Sequence, residues 1–333
     1  MLISTLFFGI AVVASCSLAD RLGQVLGVID HPDGARKNHA RPTPLVGGLA
    51  LMVPMLWVGV SEALRQPEFS IIFIAFGAAG IGFMSLGLYD DRRHVQPATR
   101  LAVSALLCAV LLAAEPSLRL ETLELEVGVW HLAAFAVPFT ILCLVGFQNA
   151  INMADGMNGL VIGLSIFWTL CLLLYAPDYM IPYLSFLLFG LFILLPYNLM
   201  GYLFLGDAGS YSLGVIIGLL MIHVHNEAVV TLPALTVVLW LLIPIVDCFR
   251  VMLARLSAAC SPLTGDRNHL HHRLSRHWPW PVSVMIYLAV ATVPGFAAAL
   301  WPALTGPMLI LALAAYSTVI WFTRSREHLP ATA

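Results

Sequence analysis

Apolar residues run along this chain in long, nearly unbroken blocks, separated by short polar stretches. A helix that crosses a bilayer needs about 20 apolar residues. Blocks of that kind lie at about 1–19, 45–64, 70–89, 98–114, 130–147, 159–175, 181–199, 209–224, 229–246, 281–303 and 307–323. The pattern predicts an all-α polytopic membrane protein with eleven transmembrane helices. Ten is the alternative count, because the fourth and eighth blocks are short and the division near Asn226 is soft. One stretch has a different period: residues 118–127 alternate apolar and polar side chains, which is the repeat of a strand. It predicts a small β-hairpin or amphipathic strand on the outer surface. No internal repeat divides the chain, so residues 1–333 read as a single integral membrane domain.

Composition sharpens this picture. Of 333 residues, 60 % are hydrophobic and 10 % charged, with a mean hydropathy of +0.91, whereas a soluble domain carries about 25 % charged residues. A water-facing surface cannot be built from this material. The net charge of −2 is uninformative, but the lack of any basic arm or groove-binding module speaks against a nucleic-acid partner. Six cysteines without C-x-x-C spacing predict neither disulfides nor zinc. No basic residue precedes the first apolar block, as a signal peptide requires, so that block is expected to remain as the first helix. With loops alternating sides, all but Arg65 and Arg119 of the 16 Lys and Arg residues fall on one side or at its edge. Positive loops stay cytoplasmic, which sets the N-terminus outside and the C-terminus inside.

Four polar segments fall on that cytoplasmic side. In Tyr89-Asp90-Asp91-Arg92-Arg93, two adjacent acids repel. A bridging cation would relieve them, and hard carboxylate oxygens suit Mg²⁺; Arg92 and Arg93 could instead neutralise the pair. Residues 149–159 hold Asn149, Asn152, Asp155 and Asn158 among glycines. Amides beside an acid can read a nucleobase or an acetamido sugar, though the same residues also build ordinary turns. Around Gly206-Asp207, with Asn198 upstream, the acid is either a helix cap or a metal ligand. Finally, Asp266-Arg267-Asn268-His269-Leu270-His271-His272-Arg273 gathers phosphate-binding arginines and histidines that can donate hydrogen bonds or move protons. Nothing there supports a closed zinc site. A carboxylate–metal centre, a phosphate clamp and amide-rich turns on one face describe a site for a soluble nucleotide and a membrane-borne acceptor.

These segments, in this order, resemble the polyprenyl-phosphate N-acetylhexosamine-1-phosphate transferases. Pro42 to Gly48 resembles the family's first cytoplasmic loop, and Asp90-Asp91 its paired acids. Asn152-Met153-Ala154-Asp155-Gly156-Met157-Asn158-Gly159 is similar to its Asn-x-x-Asp-Gly-x-Asp-Gly signature. Phe204 to Ser210 matches its Phe-Met-Gly-Asp-x-Gly-Ser segment, and His269-Leu270-His271-His272 its His-x-His-His loop. Asn158 stands where many members carry aspartate. The stretch 254–260 is less basic than its counterparts.

The resemblance implies ten or eleven helices, often in a homodimer, and a Mg²⁺-dependent cytoplasmic site in which Mn²⁺ could substitute. A UDP-N-acetylhexosamine, UDP-GlcNAc first, would donate its sugar phosphate to undecaprenyl phosphate and release UMP. That step would initiate an O-antigen, common-antigen or teichoic-acid type of polysaccharide. The Asp-Arg-Asn-His-Leu-His-His form resembles the N-acetylglucosamine-type enzymes; the muramoyl-pentapeptide transferases of peptidoglycan synthesis, which usually carry His-His-His-Phe, are the alternative. The catalytic group implied is Asp90, Asp91, Asp207 and His269, with Asp91, Asp207 and Asp90 as metal ligands and Asp90 as candidate base. Arg267, His269, His271 and His272 would grip phosphate oxygens. Asn152, Asp155, Asn158 and Asn198 would face the uridine or the sugar. A secondary transporter fits less well, since its ionisable groups should sit near the midplane between related halves.

Overall fold

The computed structural model of the chain describes residues 2–32, 41–125, 128–227, 232–259, 261 and 268–324. These fall into two compact units, Met1–Leu232 and Pro233–Ala333.

In the first unit the apolar blocks become α1 (Leu2–Ser17), α2 (Ala19–Leu26), α3 (Gly47–Arg65), α4 (Ser70–Arg93), α5 (Pro97–Ala114), α6 (Ala136–Ala154), α7 (Leu160–Leu173), α8 (Ile181–Leu199) and α9 (Gly206–Glu227). In the second they become α10 (Ala234–Ser257), α12 (Trp280–Leu300) and α13 (Thr305–Arg324), with a short α11 (Leu270–Ser275) between α10 and α12. Each of the eleven blocks coincides with a helix. Among the described residues, nine helices are long and apolar enough to cross a membrane by themselves. The first block does not end as one straight span: α1 and α2 meet at a 65° bend.

Two lengths depart from the apolar reading. The eighth block is lengthened, because α9 takes in Gly206 to Ala208 at one end and His225 to Glu227 at the other, reaching 22 residues. Its polar ends find partners inside the protein: Tyr179 Oη lies 2.7 Å from His223 Nε2. The sixth block is shortened. α7 has 14 residues, about 21 Å at 1.5 Å per residue, against the ~30 Å of a hydrocarbon core. It starts only after Gly159, whose φ of +83° closes the polar turn before it.

The alternating stretch does form a hairpin. β3 (Thr122–Leu125) pairs antiparallel with β4 (Gly128–His131) in the register Thr122 to His131. A smaller ladder, β1 (Ile29–Asp30) with β2 (Thr43–Pro44), leads into α3. Its continuation is tied to the segment before α9: Phe204 donates to the Pro44 carbonyl at 2.9 Å, and Gly47 donates back to the Phe204 carbonyl at 2.9 Å.

α9 is the buried axis of the first unit, almost entirely covered by α3, α4, α6 and α7. Two glycines let its N-terminus touch neighbouring main chains. A Cβ at Gly48 would lie 2.4 Å from the Gly209 nitrogen, and one at Gly87 would lie 2.3 Å from the Asp207 carbonyl carbon. In the second unit α10 packs on α12 and α13, and α11 on the same two helices. Trp240 donates from Nε1 to the Gly295 carbonyl at 3.1 Å.

Candidate active site

The last turn of α4 carries Asp90 and Asp91, and successive helical residues point about 100° apart. The two acids therefore meet different surroundings. Asp90 is 3 % exposed and accepts three hydrogen bonds. Its Oδ1 accepts from the Val95 amide at 2.7 Å. Its Oδ2 accepts from Tyr211 Oη at 2.7 Å and from Arg100 Nη1 at 2.9 Å. Arg100 also donates to Tyr211 Oη at 3.0 Å. The acid is thus neutralised by an arginine, but not by either neighbour in sequence: Arg92 turns its Nε to the Leu26 carbonyl instead.

Asp91 faces the start of α9. Its Oδ1 accepts from the Asp207 amide at 3.0 Å, and its Oδ2 from the Ala208 amide at 3.1 Å. The first N–H groups of a helix have no partner within it and attract negative charge. Asp91 therefore supplies, from another helix, the cap that the sequence allowed for Asp207. Asp207, released from capping, accepts at Oδ1 from Asn152 Nδ2 at 2.6 Å. The same amide nitrogen reaches Ser210 Oγ at 3.0 Å. Asn152 comes from the end of α6, so three helix ends meet at this pair of acids. Asp155, one residue past α6, is half-buried; burial and the negative charge of Asp207 push its pKa up to about 7.

These residues suit a hard divalent cation. Asp91 and Asp207 accept hydrogen bonds from neutral N–H donors, and among the described residues neither makes an ion pair, although Arg100, already paired with Asp90, also acts on Asp207 through space. Each carboxylate oxygen has lone pairs beyond the one such a donor uses. Mg²⁺ typically takes one or two carboxylates and completes its shell with phosphates and water. Among the described residues, no group of three or more His, Cys, Asp or Glu side chains is assembled for a metal. Asp90, paired with Arg100, stands beside Asp207 and acts on Asp91 as well.

The remaining amides form a separate bracket. Asn198 is 4 % exposed; its Oδ1 accepts from the Gly159 amide at 2.6 Å, and its Nδ2 donates to the Leu203 carbonyl at 3.2 Å. It pins together the turns before α7 and α9, where the sequence suggested a substrate contact. Asn158 is half-buried opposite Gly201, its Nδ2 3.8 Å from where a Cβ there would lie.

The histidine loop belongs to the second unit. Arg267 lies outside the described residues. His269 and His271 are buried with parallel rings 5.8 Å apart, and the His272 ring follows at 4.1 Å from His271. Nε2 of His271 has no hydrogen-bond partner among the described residues. Burial, with His272 and His269 beside it, holds its pKa well below the usual imidazole range. It therefore offers a neutral nitrogen to the phosphate contact that the resemblance implies. Behind His269 stands Asp247 of α10, 3 % exposed. It accepts from His269 Nδ1 at 3.0 Å, the Leu270 amide at 3.0 Å, Arg250 Nη2 at 2.7 Å and Tyr316 Oη at 2.9 Å.

Asp247, Arg100 and Tyr211 are members of these clusters that the motifs do not contain. For Asp247 a signal existed, since a lone acid closing an apolar block is a functional candidate by default. Arg100 and Tyr211 carried no such mark.

Known proteins resemble the chain along most of its length. The glycosyl transferase family 4 profile matches residues 45–225. An undecaprenyl-phosphate alpha-N-acetylglucosaminyl 1-phosphate transferase of Yersinia pestis is 30 % identical over 274 residues, 78 % of this chain and 72 % of that protein. The transferase of the same name from Salmonella typhi is 27 % identical over 293 residues, 84 % and 78 % of the two chains. A phospho-N-acetylmuramoyl-pentapeptide-transferase of Lactiplantibacillus plantarum is 29 % identical over 269 residues, 74 % and 80 %.

Proposed function

This chain belongs to glycosyl transferase family 4, and from that membership we propose that it is a membrane enzyme moving N-acetylglucosamine 1-phosphate from UDP-GlcNAc to undecaprenyl phosphate. UMP is released, and the lipid-linked sugar starts a cell-surface polysaccharide of O-antigen, common-antigen or teichoic-acid type. The observation that carries the reading is the junction of Asp91, Asp207 and Asn152 at three helix ends. It offers two carboxylates that make no ion pair of their own among the described residues, where a cation accompanying the diphosphate would be held. The acetylglucosamine choice rests on the relatives' names and on the His269-Leu270-His271-His272 form of the loop.

In the reaction a phosphate oxygen of the lipid attacks the β-phosphorus of the UDP-sugar. A bond forms between them, the bond from that phosphorus to the bridging oxygen breaks, and the electron pair leaves on UMP. Little covalent chemistry is asked of the protein, so positioning and charge neutralisation dominate. Asp91 and Asp207 would hold Mg²⁺, or Mn²⁺ on the same oxygens, and such an ion would supply Lewis-acid neutralisation of the diphosphate charge. Asn152 fixes the Asp207 carboxylate, and Asp155 and Asn158 border the uridine and sugar. Asn198 keeps the two turns beside them in register. His269, His271 and His272, with Arg267, contact phosphate oxygens. Asp90 is assigned to hold Arg100 rather than to act as base or ligand. The lipid phosphate, with a second pKa near ~6, is already mostly dianionic near neutrality and needs no base. The site opens to the cytoplasm, where the UDP-sugar is.

The test is UMP release by purified protein with undecaprenyl phosphate and Mg²⁺, run across a panel of UDP-sugars. UDP-GlcNAc is expected to give the highest kcat/KM. Turnover only with UDP-N-acetylmuramoyl-pentapeptide would transfer the assignment to peptidoglycan synthesis. No UMP with any donor would remove it.

A further inference from the structure

We propose that Asp247 is a positioning residue that fixes which ring nitrogen of His269 is presented to the substrate. This deepens the reading above and rests on it for the identity of the reaction.

The geometry is specific. Four donor groups converge on the buried Asp247 carboxylate: the Arg250 guanidinium, Tyr316 Oη, the Leu270 amide and His269 Nδ1. An ionised carboxylate only accepts, and Arg250, 2.7 Å away, balances its charge. His269 Nδ1 must therefore carry a hydrogen in both the neutral and the cationic ring. Nε2 is the nitrogen left for chemistry, a lone pair in one state and a donor in the other. The same Oδ2 accepts from the Leu270 amide at 3.0 Å, the first residue of α11. His269 precedes α11 without capping it through its own side chain. One carboxylate oxygen thus sets both the start of the helix and the ring that precedes it.

Replacement by asparagine has a definite outcome. Arg250 and Tyr316 are donors toward Oδ1: Arg250 Nη2 stands at 2.7 Å and Tyr316 Oη at 2.9 Å. The Arg250 charge selects the orientation in which the amide oxygen faces these two, so the amide NH₂ faces His269 and also the Leu270 N–H, whose hydrogen bond is lost. Nδ1 must then accept, and the hydrogen of the neutral ring moves to Nε2. Loss of the correct tautomer at a histidine–carboxylate pair is known to cost up to about 10⁴ in kcat with the geometry intact.

The experiment uses the full-length protein in detergent micelles with ¹⁵N-labelled histidine, the His269 signals being identified by their loss in His269→Gln. The parent is expected to show Nδ1–H in its neutral ring, and Asp247→Asn to show Nε2–H. Asp247→Asn is expected to lower kcat for UMP release by at least about 100-fold while KM for the UDP-sugar stays within about threefold. Tyr316→Phe, which removes one donor from Asp247 and leaves the His269 contact in place, should keep kcat within about threefold. A parent His269 with its hydrogen on Nε2 overturns the proposal and requires no variant to fold. So does a folded Asp247→Asn protein with parental kcat, or a Tyr316→Phe protein as impaired as Asp247→Asn. If the parent releases no UMP from any donor, the enzymatic reading fails while the ring spectra still decide the tautomer.

Discussion

Asp247 in the second unit and the Asp91–Asp207 pair in the first are all held by several hydrogen bonds, yet they are held by different kinds of group. Asp247 meets a guanidinium, a phenol, an imidazole and a backbone amide. Its charge is balanced inside the protein, and Asp90, with Arg100 and Tyr211, follows the same pattern. Asp91 and Asp207 accept hydrogen bonds from backbone and side-chain amides, and Arg100, committed to Asp90, acts on Asp207 without forming an ion pair with it. Amide dipoles orient a carboxylate without neutralising it. Breaking a buried ion pair by deleting one member leaves an uncompensated charge, so balanced acids serve as framework. Acids aimed by neutral donors keep an appetite for an outside cation.

The largest expected effect tests that last statement. Asp207→Asn should lower turnover by about three orders of magnitude, in line with removal of a group that organises transition-state charge. The parent's melting temperature should rise with added Mg²⁺, because a ligand bound only by the folded state stabilises it. The variant's should not move. Equal Mg²⁺-dependent shifts in both proteins would break the contrast. A smaller loss is expected for Asp90→Asn, about tenfold, as for a charge-assisted hydrogen bond, with the parent's Mg²⁺ requirement unchanged. If that variant instead needs far more Mg²⁺, Asp90 is a ligand and belongs with the other two.

The smallest effect concerns Asp155. Its pKa is raised to about 7, so the folded protein binds this proton more tightly than the unfolded chain does. The stability this provides is complete at low pH and is lost as pH rises through about 7. An asparagine in its place would imitate the protonated acid at every pH. With EDTA present, Asp155→Asn should melt a few degrees above the parent at pH 8 and no higher than the parent near pH 4. A gap that does not depend on pH would mean that the carboxyl is not under this strain.

Much of the fold is legible in the order of residues. Eleven apolar blocks became eleven helices, because a hydrocarbon environment leaves the backbone no other open-chain way to satisfy its polar groups. The alternating stretch became a hairpin for the corresponding reason of period. Helix ends were harder. α9 extends through residues that look like loop because Asp91 caps it from α4, and a cap from elsewhere leaves no local trace. Partners were harder still. Asp90 sits beside Arg92 and Arg93 in sequence, yet its ion pair is with Arg100, ten residues on. Asp247 belongs with His269 and Tyr316, 22 and 69 residues away. Residue type announced that acids would matter; only packing decided which were balanced.

Gly48 and Gly87 have a mechanical consequence. Where main chain rests on main chain, no side chain lies between to act as a cushion. The spacing of Asp207 from α4 is therefore set by covalent geometry and not by rotamer choice. Even a methyl group at position 87 would have to displace a peptide unit. The acidic corner is a machined fitting with no clearance: any side chain added at either glycine would have to prise Asp207 and its neighbours apart.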